Sequence, residues 1–109
     1  GKTTLLNRIL SEHGCRPVHL SKQEVEGFYA GFSNGVLWPL FHGMPDLSKY
    51  SRVDWRAYTR VNEMFADEIA RTARPTDVVW VHDYQLTLLP ELLRRRGVSC
   101  PIGVTEAAE

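Results

Sequence analysis

The clearest local pattern in this chain of 109 residues is Asp77-Val-Val-Trp-Val-His-Asp-Tyr-Gln-Leu-Thr-Leu-Leu-Pro-Glu-Leu-Leu-Arg-Arg-Arg-Gly97. Its short apolar run, Val78 to Val81, predicts a strand buried on both faces in a parallel sheet. A helix follows, with Pro90 in its first turn and Gly97 as its left-handed stop. Ligands of open α/β sheets bind at the carboxyl ends of the strands. We therefore predict a binding site at Asp83, in the polar turn between strand and helix.

The flanking sequence predicts further alternating elements. The N-terminal residues 1–14 form a helix with apolar residues at helical spacing, and residues 17–20 form a short strand. Ser21 and Glu24 form a capping box for a second helix. That helix carries an apolar face made of Val25, Phe28, Tyr29 and Phe32.

The middle and the end of the chain complete this prediction. Residues 33–35 interrupt the second helix, and residues 36–41 form a turn that packs Leu37 and Phe41 inward, because Pro39 is unsuited to a helix interior. A long helix begins near Asp54 and ends before Pro75. Its apolar side consists of Trp55, Tyr58, Val61, Phe65 and Ile69. With a last strand within residues 98–104, the order of elements predicts an α/β layered domain.

Composition excludes several classes of protein. The 13 basic and 13 acidic side chains cancel, so no strong field attracts nucleic acid or a membrane surface. No apolar run approaches the ~20 residues of a membrane span. Cys15 and Cys100 are interpreted as reduced thiols, typical of the cytoplasm. The 4 histidines show no ligand-like spacing, so no metal site is predicted.

The first residues suggest a different function. Lys2 and Thr3 resemble the end of a phosphate-binding loop, in which the lysine reaches phosphate oxygens and the hydroxyl holds Mg²⁺. Residues 1–14 resemble CobW-type metallochaperone GTPases, but no later guanine-binding or metal motif follows. The preferred interpretation is an amphipathic helix with a solvated Lys2, and a GTPase fragment is the alternative.

Four segments further along the chain carry a more specific resemblance. They are Cys15-Arg-Pro-Val-His-Leu-Ser21, Glu26-Gly-Phe-Tyr-Ala-Gly-Phe-Ser-Asn-Gly-Val-Leu-Trp-Pro-Leu-Phe-His42, Tyr58-Thr-Arg-Val-Asn62 and Val79-Trp-Val-His-Asp-Tyr-Gln-Leu86. In this order they closely resemble trehalose-6-phosphate synthases, over about residues 15–104. The resemblance implies half of a GT-B arrangement, a Rossmann-like α/β fold with parallel strands, covering helices and an incomplete sheet. It also implies retaining transfer of glucose from the co-substrate UDP-glucose to glucose-6-phosphate, without a cofactor or metal.

The resemblance also assigns site residues. It implies that Tyr29 and Trp38 contact the acceptor phosphate and that Asp83 contacts hydroxyls of the acceptor sugar. A phenol and an indole N–H can each donate one oriented hydrogen bond to an anion. From the residues alone, Tyr29 and Trp38 fit the core, and Asp83 fits a helix cap. His82 is the weaker candidate, suited to a hydrogen bond with the neighbouring strand.

Departures from the family pattern limit what this chain is expected to do. The family usually has histidine at the position of Gln85. The catalytic histidine expected after Gly103, the basic pair for the donor diphosphate and the donor domain are absent. We therefore interpret residues 1–14 as a foreign leader, 15–104 as a partial acceptor domain and 105–109 as a tail, inactive alone. A non-catalytic scaffold is the second alternative, and open sheet edges favour self-association.

Overall fold

The computed structural model describes residues 2–44, 46 and 50–105, with the side chains of Lys2 and Thr3 outside the description. The elements in chain order are α1 (Lys2–Glu12), α2 (Lys22–Val25), a π-helix (Glu26–Leu37), α3 (Trp38–Phe41), α4 (Arg52–Thr72), β1 (Val79–His82), α5 (Leu89–Arg95) and β2 (Ile102–Thr105). None of the described helices is both long enough and apolar enough to cross a membrane. The predicted α/β class is confirmed.

The strands β1 and β2 form a parallel two-stranded sheet in which Val79 pairs with Ile102 and His82 with Thr105. Val81 is buried, but the side chain of Trp80 is 59% exposed. The prediction of a strand buried on both faces is therefore wrong. The core formed with α4 and α5 covers the Val81 side, whereas the Trp80 ring lies over Gly103, where an added Cβ would be 2.8 Å from the ring.

The stretch from α2 to α3 is continuous helix, so the predicted interruption at residues 33–35 is wrong. The Ser33 hydroxyl donates to the carbonyl of Phe28 at 2.7 Å, which satisfies this side chain inside the helix. Pro39 lies in the first turn of α3, where its missing N–H is tolerated. Phe41 is 45% exposed, which contradicts its predicted inward packing. The capping box of Ser21 and Glu24 is confirmed.

The helix α4 connects the two parts of the core. Its Tyr58 and Val61 pack against Phe28, Phe32 and Val36 of the π-helix. Further along, its Ala66 packs with Val81, Leu89 and Leu93 from β1 and α5. The predicted apolar side of α4 is confirmed, and the helix begins at Arg52 because Ser51 caps it by accepting from the Asp54 N–H.

The N-terminal part of the chain contributes less to the core. The helix α1 is followed by Gly14 in the left-handed conformation, as predicted, but Leu5, Leu6 and Ile9 are exposed. The predicted strand at residues 17–20 is wrong, since these residues have no regular structure. In the described residues the sheet consists of β1 and β2 alone. Leu20 packs against the first core cluster instead.

Candidate functional site

Asp83 lies directly after β1 in an uncommon backbone conformation. Its φ is 66°, and it is the one described residue other than glycine with a positive φ. Aspartate tolerates this left-handed region better than most residues. The Asp83 N–H donates to the carbonyl of Thr105 at 3.2 Å, so β2 holds its backbone. The helix α5 is capped at Leu88 without a side-chain hydrogen bond, so Asp83 is not the cap that its position could suggest.

Two fully buried polar residues of α4 hold the turn that follows Asp83. The Tyr58 hydroxyl donates to the carbonyl of Tyr84 (2.8 Å) and accepts from the N–H of Thr87 (2.9 Å). The Asn62 amide donates to the carbonyl of Gln85 (3.3 Å) and accepts from the N–H of Leu88 (3.2 Å). Sequence reasoning missed this role. The available signal was an asparagine on the apolar side of α4, because buried polar groups need partners.

The π-helix decides which residues share a face. A π-helix has hydrogen bonds between residues i and i+5 and about four and a half residues per turn. Tyr29 and Trp38 are therefore about two turns apart and lie on one side, whereas an ordinary α-helix would place them on opposite sides. Asn34 lies on the same side, between them. Phe28, Phe32 and Val36 form the buried side.

Tyr84 joins this face to the Asp83 turn. Its hydroxyl donates to the Oδ1 atom of Asn34 at 3.2 Å. Its ring makes an edge contact with Phe41, with centroids 6.3 Å apart. Burial raises the pKa of Tyr84, and the negative charges of the Asp83 carboxylate and of a deprotonated Tyr29 raise it further.

Trp38 is held by its neighbour along the chain. Its ring stacks on His42 with centroids 4.2 Å apart and an angle of 17°. The Nδ1 atom of His42 donates to the carbonyl of Trp38 at 2.7 Å, since a carbonyl can only accept. The stack fixes the orientation of the indole. Trp38 remains 40% exposed and Tyr29 48% exposed, so neither is the core residue that its position in the sequence alone suggested.

The polar groups predicted for the site are free to meet a ligand. Within the described residues, the Tyr29 hydroxyl, the Trp38 indole N–H and the Asp83 carboxylate form no hydrogen bond or ion pair. All three residues are exposed. Two donors and one carboxylate are thus exposed in this part of the structure. Such groups can bind a small molecule that carries an anion and hydroxyl groups.

The comparisons with known proteins identify the family of this chain. The family model of glycosyltransferase family 20 matches residues 1–105. The chain belongs to this family. The match includes residues 1–14. The resemblance of these residues to GTPases is not supported.

Members of the family share both sequence and fold with this chain. A bifunctional trehalose-6-phosphate synthase/phosphatase of Thermoproteus tenax is 54% identical over 81 residues, which are 74% of this chain and 11% of the relative. A UDP-forming alpha,alpha-trehalose-phosphate synthase of Yarrowia lipolytica is 45% identical over 85% of this chain and 20% of its own length. A UDP-forming synthase from Burkholderia xenovorans, solved in complex with glucose-6-phosphate, superposes with a TM-score of 0.73 at 42% identity, over 78% of this chain and 19% of its own.

These comparisons confirm the predicted fold. The structural relatives are GT-B enzymes, and the chain has the expected Rossmann-like part of such a domain, with parallel strands and covering helices. The chain spans a fifth or less of the length of the family members described above.

The remaining candidates have different surroundings. His82 is exposed, with its ring 6.3 Å from that of Trp80. Gln85, at the position where the family usually has histidine, is half-buried and offers its carbonyl to Asn62. The side chains of Lys2 and Thr3, the alternative phosphate-binding residues, lie outside the described part of the structure. Among the described residues, no group of three or more metal-ligating side chains converges.

Tyr58 and Tyr84 are expected to lose their phenolic protons at a higher pH in the folded chain than in the unfolded chain. Burial raises the pKa of both side chains. Above pH ~10 the unfolded chain loses phenolic protons that the folded chain keeps, so stability falls as pH rises through this range. Absorbance of tyrosinate against pH measures this, and Tyr58→Phe should remove a late transition. The control Tyr50→Phe, at a tyrosine 65% exposed, should leave the late transition in place. A single common transition near 10 would contradict the expectation.

Proposed function

We propose that this chain binds glucose-6-phosphate as the acceptor part of a trehalose-6-phosphate synthase, in which glucose is transferred from UDP-glucose to that acceptor. The observation that carries the proposal is that the Tyr29 hydroxyl, the Trp38 indole N–H and the Asp83 carboxylate are exposed and form no hydrogen bond or ion pair among the described residues. Tyr84, which directly follows Asp83, is hydrogen-bonded to Asn34 on the helix face that carries Tyr29 and Trp38. Family membership and the glucose-6-phosphate complex of the Burkholderia xenovorans relative support the choice of ligand.

Each side chain has a defined task in the proposed complex. The Tyr29 hydroxyl and the Trp38 indole N–H donate to the phosphate. The Asp83 carboxylate accepts from sugar hydroxyls, and such charge-assisted bonds are stronger than neutral ones. The chain supplies acceptor binding and orientation, and we propose no catalytic residue and no cofactor within it. The donor-binding groups would come from the remaining length that the relatives have.

The proposed organisation follows from these tasks. Residues 15–104 form the acceptor-binding part, and residues 1–14 lie outside the site. We propose a cytoplasmic location, in keeping with the two free cysteines, Cys15 and Cys100. The exposed Val78, Trp80 and Val104 along the sheet favour self-association.

A titration with glucose-6-phosphate, followed by amide shifts in two-dimensional NMR, tests the proposal. We expect saturable shifts near Tyr29, Trp38 and Asp83, with glucose and GTP as control ligands. Trp38→Ala should weaken binding roughly tenfold or more, because a hydrogen bond to a charged group contributes about 1.5–3 kcal/mol. Trp80→Ala is the matched control, since it removes an indole that is 59% exposed on the sheet face.

The possible outcomes separate the alternatives. Equal responses to glucose and glucose-6-phosphate would contradict a phosphate contact. Shifts specific to GTP near Lys2 would support the GTPase interpretation, and no response to any ligand would support a scaffold. Recording the titration at two chain concentrations separates ligand shifts from those of self-association.

A further inference from the structure

We infer that Tyr58 and Asn62, which are fully buried, are positioning residues that set the affinity for the sugar by holding Asp83 in its binding conformation. The inference rests on the proposed function and deepens it. The pair belongs to α4, whereas Asp83 belongs to the turn after β1. The central helix α4 therefore has a role in the site.

The hydrogen bonds of Tyr58 use the full capacity of its hydroxyl. A phenol has one hydrogen to donate and can accept two bonds. The carbonyl of Tyr84 can only accept, so it receives the hydrogen (2.8 Å). The Thr87 hydroxyl, at 2.6 Å, must then be the donor, and the Thr87 N–H, at 2.9 Å, is the second donor. One atom of α4 thereby fixes both ends of the segment 84–87.

The bonds of Asn62 fix the orientation of its amide in the same way. Its NH₂ group donates to two carbonyls, those of Tyr58 (2.9 Å) and Gln85 (3.3 Å). Its oxygen accepts from the Leu88 N–H (3.2 Å). A flipped amide would place its oxygen against two carbonyls and its NH₂ against an N–H. Both residues have no exposed surface, and a buried polar network that is fully paired rigidifies its surroundings.

The segment held in this way continues directly from Asp83. On the N-terminal side of Asp83, His82 is fixed by the pairing of β1 with β2. The N–H of Asp83 itself donates to the Thr105 carbonyl. On its C-terminal side the first fixed atom is the Tyr84 carbonyl, held by Tyr58. A left-handed aspartate is a conformation of higher energy that persists when the surroundings over-determine it. The hydrogen bonds from α4 supply the constraint on the C-terminal side of Asp83.

The variants Tyr58→Phe and Thr87→Val test the inference. Tyr58→Phe removes the hydroxyl but keeps the ring contacts with Phe28 and Phe32, at 5.7 and 4.7 Å between centroids. Thr87→Val removes the partner from the exposed side of the turn. We expect each variant to bind glucose-6-phosphate roughly tenfold more weakly, with NMR spectra that remain folded.

A matched control separates positioning from stability. The Thr59 hydroxyl of α4 is buried and has no hydrogen-bond partner in the described structure, so Thr59→Val removes a hydroxyl that bonds to nothing. We expect its affinity to equal that of the unaltered chain. Phe32→Leu, in the core beside Tyr58, provides a variant of lowered stability that should also keep the affinity at a temperature where it is folded.

A double-variant cycle gives the decisive readout. If Tyr58 acts through Asp83, Tyr58→Phe should have little further effect on affinity once Asp83→Asn is present, because coupled residues are not additive. Additive losses, or a Tyr58→Phe chain that binds as well as the unaltered one, would overturn the inference while leaving the proposed function intact. Absence of saturable binding by the unaltered chain would overturn both.

Discussion

Asp83→Asn is expected to weaken glucose-6-phosphate binding by roughly 10- to 100-fold, since hydrogen bonds to a charged group contribute about 1.5–3 kcal/mol. The exchange removes the charge and leaves the shape of the side chain. Asparagine tolerates the left-handed region as aspartate does, so the backbone at φ 66° is preserved. Titration by NMR or calorimetry measures the loss. An affinity equal to that of the unaltered chain would show that the carboxylate does not contact the sugar.

Two further exchanges at the same position separate binding from folding. Asp83→Ala removes the carboxylate and also places an ordinary Cβ in the left-handed region, which costs about 1 kcal/mol. Asp83→Gly removes the carboxylate and relieves the backbone, because glycine has no steric preference there. We expect all three variants to bind weakly and only the alanine variant to melt at a lower temperature. A glycine variant that bound normally would assign Asp83 to the backbone alone.

Gly27→Ala is expected to lower the stability of the fold, because the π-helix lies close against α4 at this position. A Cβ at Gly27 would lie 2.5 Å from the Cβ of Ala57. Both atoms are attached directly to helix backbones, so the π-helix and α4 would have to separate. Overpacking of this kind costs about 1–3 kcal/mol, and each kcal/mol lowers the Tm of a domain of this size by about 4–8 °C. Thermal unfolding followed by circular dichroism measures the change.

Gly35→Ala is the matched control in the same helix. The nearest atom to its added Cβ would be the carbonyl oxygen of Ala30 at 3.5 Å, an ordinary contact. Alanine is favoured over glycine in helix interiors by up to about 1 kcal/mol, so the Tm should stay unchanged or rise. Equal effects at Gly27 and Gly35 would mean that the close approach to α4 is not what requires a glycine.

Local sequence signals predicted the elements that are fixed within a few residues. The capping box at Ser21 and Glu24, the end of α5 at Gly97 and the end of α4 before Pro75 all formed as expected. Each depends on hydrogen bonds or backbone sterics between near neighbours. The resemblance to one family added the fold and its candidate residues, because several motifs occurred together in the right order.

The prediction failed where distant parts of the chain decide the structure. Residues 33–35 have the composition of a helix break, yet they continue the π-helix. Helical patterns of i+3 and i+4 spacing place Tyr29 with the core, whereas the i+5 pattern exposes it. The strand expected at residues 17–20 also depended on a partner strand, which local composition does not supply. Pairing and packing between separate elements decide such cases.

The sequence by itself therefore determined the α/β class, the family and the identity of Tyr29, Trp38 and Asp83 as the residues to consider. Only the tertiary structure decided that Tyr29 and Trp38 share a face, that Tyr84 joins this face to Asp83, and that Tyr58 and Asn62 hold the turn between them. The physical reason is the separation along the chain of the residues that interact. Caps and turns are set by neighbours in sequence, whereas the helix type and the buried hydrogen bonds of α4 depend on contacts between residues far apart in the chain.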